Sequence, residues 1–171
     1  MNERSGADAG RRIAIFHFKG DFDTMPALRS TVMLLLPPQF ESAAVTLVAL
    51  PRLPRRGLPT SLRRIAEVLL WLLQAFRHCA GRSYACLIGV DPAGLIVSGL
   101  LAALLRAPLA YFSLELYLSK EITSLHIRLM KTLERFFNQR CLFTIIQDQE
   151  RARLLVGENR VPEDGEELLF G

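Results

Sequence analysis

The sequence predicts an α/β domain, a doubly wound parallel sheet with helices on both faces, and three observations carry that prediction. Short apolar runs of strand length alternate with longer runs at helical spacing along the chain. The run Tyr84 to Val90 is apolar on both faces, the pattern of a central strand covered from both sides. Strands separated by helices return by right-handed crossovers, which makes such an order a parallel sheet.

The elements follow in order. Arg12 precedes Ile13 to Phe18, a first strand, and Lys19 to Pro26 supplies the glycine, aspartates and proline of a loop. Thr24 is a candidate cap for a helix to Leu36, which Pro37 and Pro38 stop. Val45 to Leu50 reads as a second strand. Ser61 is a candidate cap for a long helix to about Cys79, with Leu62, Ile65, Leu69, Leu72 and Phe76 at helical spacing. Leu70 and Trp71 widen that stripe beyond one core contact, and Gly81 ends the helix. After the strand Tyr84 to Val90, Asp91 suits a cap and Pro92 a first helical turn. Leu109 to Leu114 is the next strand, Ser124 a cap for a helix from Leu125 to Asn138, and Leu142 to Ile146 a further strand. Asp148 caps a helix to Val156, and Glu166 to Gly171 reads as one more short strand.

With 171 residues, 50% of them hydrophobic, the chain can bury a core without staples. Residues 1–11 read as a disordered polar leader without the apolar core of a secretory signal, and 12–171 as a single domain. Cys79, Cys86 and Cys141 have no metal-ligand spacing and suit reduced, mostly buried thiols in a cytoplasmic protein. The uncharged run Pro92 to Leu105 ends at Arg106, short of the roughly 20 residues a membrane span needs. The net charge of +4 is too small to imply nucleic acid. Arg52, Arg55, Arg56, Arg63 and Arg64 fall where no acid stands between Glu41 and Glu67. They suit a solvated surface, or else an anionic acceptor or a peripheral contact with the inner membrane face. Followed by the apolar stripe Leu69 to Leu73, they have the composition of an interfacial helix.

Functional groups in such a sheet gather in the loops after the carboxyl ends of the strands. Those loops are Lys19 to Thr24, Asp91 to Gly94, Ser113 to Ser119 and Gln147 to Glu150. Asp21, Asp23, Asp91 and Glu115 could therefore face one crevice. Asp91 and Asp148 also fit as helix caps, and Asp21 and Asp23 as turn residues. Glu115, between Leu114 and Leu116 at a strand end, must be solvated, paired or working. His17 could be a base but fits better as a hydrogen-bonded core histidine, and His78 and His126 as surface residues. Asp21 and Asp23 have a D-x-D form, but its place directly after the first strand is wrong for a metal-binding pair, so no metal is expected. Dinucleotide, P-loop, hydrolase-elbow and zinc motifs are absent.

The runs YACLIGVDPAGLIVSGLLAALLRAPLAYFSLELYLS, Tyr84 to Ser119, and LMKTLERFFNQRCLFTIIQDQERARLLVGENRVP, Leu129 to Pro162, resemble the N-terminal, acceptor-side domain of retaining glycosyltransferases of the GT-B architecture, the group 1 or GT4-like family. The resemblance implies a Rossmann-like domain, one half of a GT-B fold. It implies transfer of a sugar from a nucleotide-sugar donor to a lipid-linked or polysaccharide acceptor. Catalytic roles then fall to Glu115 and Asp21, and acceptor binding to Gly20, Asp23, Asp91, Ser113 and Tyr117. The family's paired glycines are here Lys19-Gly20-Asp21, and its later-loop histidine is replaced by Ser113-Leu114-Glu115. The donor, bound in the family by a second domain with an E-x7-E signature, is expected only with that domain or a partner subunit. The chain alone is expected to hold no cofactor and to turn nothing over. The alternative is a non-catalytic Rossmann-like domain for regulation or protein contact.

Overall fold

The computed structural model describes residues 12–18, 30, 45–49, 60–116, 125–161 and 167–170. Along the chain these form β1 (Ile13–His17), β2 (Val45–Ala49), α1 (Thr60–Cys79), β3 (Cys86–Val90), α2 (Asp91–Leu105), β4 (Leu109–Ser113), α3 (Leu125–Asn138), β5 (Phe143–Ile146), α4 (Gln149–Asn159) and β6 (Glu167–Phe170). The leader 1–11 lies outside the described residues, as does the helix expected between Thr24 and Leu36 apart from Ser30, which is helical.

The strands form one sheet in the order β2-β1-β3-β4-β5-β6. Every pairing is parallel, with Ile15 opposite both Leu47 and Ile88, and Tyr111 opposite Thr144. The chain is thus an α/β, Rossmann-like domain with an open sheet. Parallel strands joined by crossovers need cover on both faces, and both are buried. On one face Phe16, Leu87, Tyr111 and Ile146 pack with Trp71 of α1, Leu95 and Leu101 of α2, Phe137 of α3 and Leu155 of α4. On the other, Ile15, Ile88, Val90, Phe112 and Ile145 form a second buried cluster.

The strand order explains why all four described helices share the first face. From β2 onward each crossover moves the chain in the same direction across the sheet, and a constant hand then puts each helix on the same side. The step from β1 to β2 runs the other way.

Local chemistry sets the helix ends. Gly81 takes φ +72° just beyond α1, a left-handed turn that glycine enters without steric cost. Asp148 caps α4, its Oδ1 accepting from Arg151 N at 2.9 Å. Helix α2 is buried along most of its length, and no described helix is long and apolar enough to cross a membrane.

A polar network lies under α3 and α4. Lys131 Nζ donates to Glu134 Oε2 at 3.1 Å, and Tyr111 Oη and Asn159 Nδ2 donate to Oε1 at 3.3 and 3.2 Å. Asn159 Nδ2 also reaches Asn138 Oδ1 at 2.6 Å, and Asn138 Nδ2 reaches Thr144 Oγ1 at 2.9 Å. All six side chains are buried, so the ion pair persists because hydrogen bonds replace the lost water. Arg135 completes the α3–α4 contact, donating from Nε and Nη2 to Glu158 O at 3.0 and 2.7 Å.

Candidate functional site

In an open parallel sheet the crevice opens where successive crossovers leave in opposite directions. Here that point lies between the carboxyl ends of β1 and β3, since β1 leads to β2 on one side and β3 to β4 on the other. The first turn of α2 stands directly over it. A Cβ on Gly94 would lie 2.2 Å from Phe16 O, and one on Gly89 would lie 2.4 Å from Leu95 Cα. Glycine at both positions lets α2 close down onto β1 and β3, so its N-terminus borders the crevice.

Asp91 departs from the expected cap. No side chain caps the start of α2, where the residue in the cap position is Val90. Asp91 instead adopts φ +56°, which only a minority of non-glycine residues do. The left-handed turn sends its carboxylate across to the next loop, where Oδ1 accepts from Leu114 N at 3.0 Å and Glu115 N at 2.9 Å. The sequence offers the cap because aspartate before proline fits one, while the acceptor role depends on β4 lying next to β3.

From the other side, Arg151 on α4 donates from Nη1 to Leu114 O at 3.0 Å and to Gln147 Oε1 at 2.6 Å. Arg151 also approaches Asp148, Nε to Oδ2 at 3.6 Å. The loops after β3, β4 and β5 are therefore joined into one rim by side chains that hold backbone. Within it Ser113 is buried, its hydroxyl donating to Glu115 O at 3.4 Å, while the Glu115 side chain is exposed.

Of the residues expected at the site, the structure brings together Asp91, Ser113 and Glu115. Gly20, Asp21, Asp23 and Tyr117 lie outside the described residues, as do Arg52, Arg55 and Arg56. Arg63 sits on α1, half-buried and 3.6 Å from Glu67 Oε1, so it is not a freely solvated cation. Arg64 is also on α1, with its side chain outside the description. His17 is buried in β1, in keeping with a core histidine. His78, expected on the surface, is half-buried, and its pKa is lowered first by that burial and then by the Arg82 charge. None of the three cysteines forms a disulfide; Cys79 and Cys141 are buried and Cys86 is half-buried.

Two rim residues escaped the sequence reading. Arg151 follows a cap by three positions and looks like an ordinary helix-surface arginine. Phe18, within the first strand that the sequence predicts, lies just past β1, exposed, edge-on to the buried Trp71 ring at 6.1 Å between centroids.

The fold and site define a Rossmann-like α/β domain with a rim of acid, hydroxyl and aromatic groups along its switch-point crevice. No protein-family model matches the chain, and no curated protein matches it.

Proposed function

We propose that this chain is the acceptor-binding half of a glycosyltransferase that moves a sugar from a nucleotide-sugar donor to a lipid-linked or polysaccharide acceptor. The observation that carries the reading is the joining of the β3 and β4 loops by Asp91, with Glu115 exposed on the rim at the carboxyl end of β4, one strand from the switch point. A carboxylate there can accept a hydrogen bond from an acceptor hydroxyl and draw off its proton as bond formation proceeds. The exposed face of Phe18 offers an apolar surface for a sugar ring. Asp21, Gly20, Asp23 and Tyr117 belong to the same reading, and a donor-binding domain or subunit completes it.

Saturation-transfer NMR with soluble glycan acceptors tests this. Glycan signals should respond to the chain and weaken with Glu115→Gln, while calorimetry with nucleotide-sugars should show no uptake by the chain alone. Uptake of a nucleotide would instead identify a nucleotide-binding domain. A second reading, a non-catalytic domain for regulation or protein contact, is favoured by one observation: Asp91 Oδ1 is engaged by two backbone amides rather than left for a ligand. A folded chain indifferent to every glycan would decide for it.

A further inference from the structure

Helix α1 is apolar on two sides, a feature independent of the sugar-transfer reading. Trp71, Ala75 and Cys79, four residues apart, are buried against the sheet and account for one stripe. Leu69, Leu73 and Phe76 recur at intervals of four and three along the other side, and all three are exposed, Leu69 to 59%. The solvent side of a helix in a globular domain ordinarily carries polar residues.

The neighbouring helix continues the feature. Helix α1 packs over β2 and α2 over β1 and β3, so the two lie side by side, both running back from the carboxyl edge of the sheet. Gly99 turns one flank of α2 toward Phe137 of α3, and Ser98, about 100° round the helix from it, faces Gly89 of the sheet. Leu100 and Leu104 lie about 100° and 140° round in the opposite sense, on the outer side and leaning toward α1. Both are exposed, Leu104 to 64%. Large apolar side chains therefore border the furrow between α1 and α2 from both sides.

The charge beside this furrow has one sign. Between Thr60 and Arg106 the only acids are Glu67 and Asp91. Glu67 is half-buried beside Arg63, and Asp91 is engaged at the crevice edge by the β4 loop. Arg77, next to Phe76, and Arg106, just past Leu104, are exposed.

We propose that the furrow between α1 and α2 docks an amphipathic α-helix of a protein partner, with apolar residues at i, i+3, i+4 and i+7 turned into it and acidic residues along its flanks. A second copy of this chain would set Arg77 and Arg106 against like charge. A flat bilayer would meet the outermost side chains of each helix and leave the furrow between them unfilled. An acidic amphipathic helix fills the furrow and pairs the arginines together.

The test is fluorescence anisotropy of the full chain with a labelled peptide of about 20 residues, carrying leucine at the a and d positions of each heptad and glutamate at e and g. A peptide with lysine in place of glutamate and a scrambled glutamate peptide are the controls. The glutamate helix should bind, the lysine helix should bind at least about tenfold more weakly, and the scrambled peptide should not bind. Leu73→Gln and Leu104→Gln should each weaken binding about fivefold or more. Arg77→Glu should weaken binding of the glutamate helix and strengthen that of the lysine helix. Leu154→Gln, exposed on α4 beyond α3, should change nothing. Thermal melts confirm that each variant remains folded. Failure of the glutamate helix to bind overturns the proposal, as does equal affinity for the lysine helix or a Leu154→Gln loss equal to the others. A dimer of the chain, or binding to phosphatidylglycerol vesicles, that Leu73→Gln abolishes while the peptide goes unbound also overturns it, in favour of a second copy or a bilayer.

Discussion

The carboxylate of Asp91 and the backbone of Glu115 are joined across two neighbouring strand ends, Oδ1 lying 2.9 Å from Glu115 N and holding Leu114 N as well. The bond exists because Asp91 turns through a left-handed conformation at the start of α2. It makes the first turn of that helix and the loop after β4 a single unit.

Removing the carboxylate should loosen that unit. Asp91→Ala loses both acceptor bonds while keeping an unfavourable φ, and should cost about 2 kcal/mol in urea unfolding. Asp91→Asn retains an oxygen acceptor and tolerates the left-handed turn, so it should cost less than half as much. Hydrogen exchange at the Leu114 and Glu115 amides should accelerate in the alanine variant and change little in the asparagine one.

Close approach of α2 to the sheet predicts a contrast between two glycines. Gly94→Ala would place Cβ 2.2 Å from Phe16 O, a backbone atom with little room to move, and should destabilise by about 3 kcal/mol or more. Gly157→Ala in α4 meets nothing within 4 Å and should stabilise by about 1 kcal/mol. Thermal melts of the two variants should shift in opposite directions.

The buried pair of Lys131 and Glu134 should behave as a unit. Lys131→Met leaves a buried carboxylate without its cation and should cost about 3 kcal/mol or more. Adding Glu134→Gln removes that charge, so the double variant should be more stable than Lys131→Met alone. A double-mutant cycle by denaturant unfolding would return a coupling above about 1 kcal/mol.

Alkaline pH should weaken the fold through Cys86, whose thiol burial pushes up to about 12 from an ordinary 9.0. A raised folded-state pKa means the unfolded chain releases the proton first. The contribution is therefore complete below pH 9 and lost as pH rises toward 12. Burial shifts Tyr111 and Cys79 in the same direction. Urea midpoints should fall across that window, and Cys86→Ala should flatten the fall. At neutral pH the native thiol should react with a disulfide reagent far more slowly than in the unfolded chain.

The sequence alone determined the elements within the described residues, because burial period and terminal chemistry are local. Gly81, Asp148 and the two-faced run of β3 each act over a few neighbouring residues, and each is found as expected. It also determined that Ser113 and Glu115 follow a strand and that Asp91 opens a helix. Only the tertiary structure decided how these meet, because strand order is set by pairings between segments far apart in the chain. That order turned Asp91 from a cap into an anchor for the β4 loop, and brought Arg151 to Leu114 O from 37 residues away. It also placed four described helices on one face of the sheet, an arrangement that no periodicity within a single segment can encode.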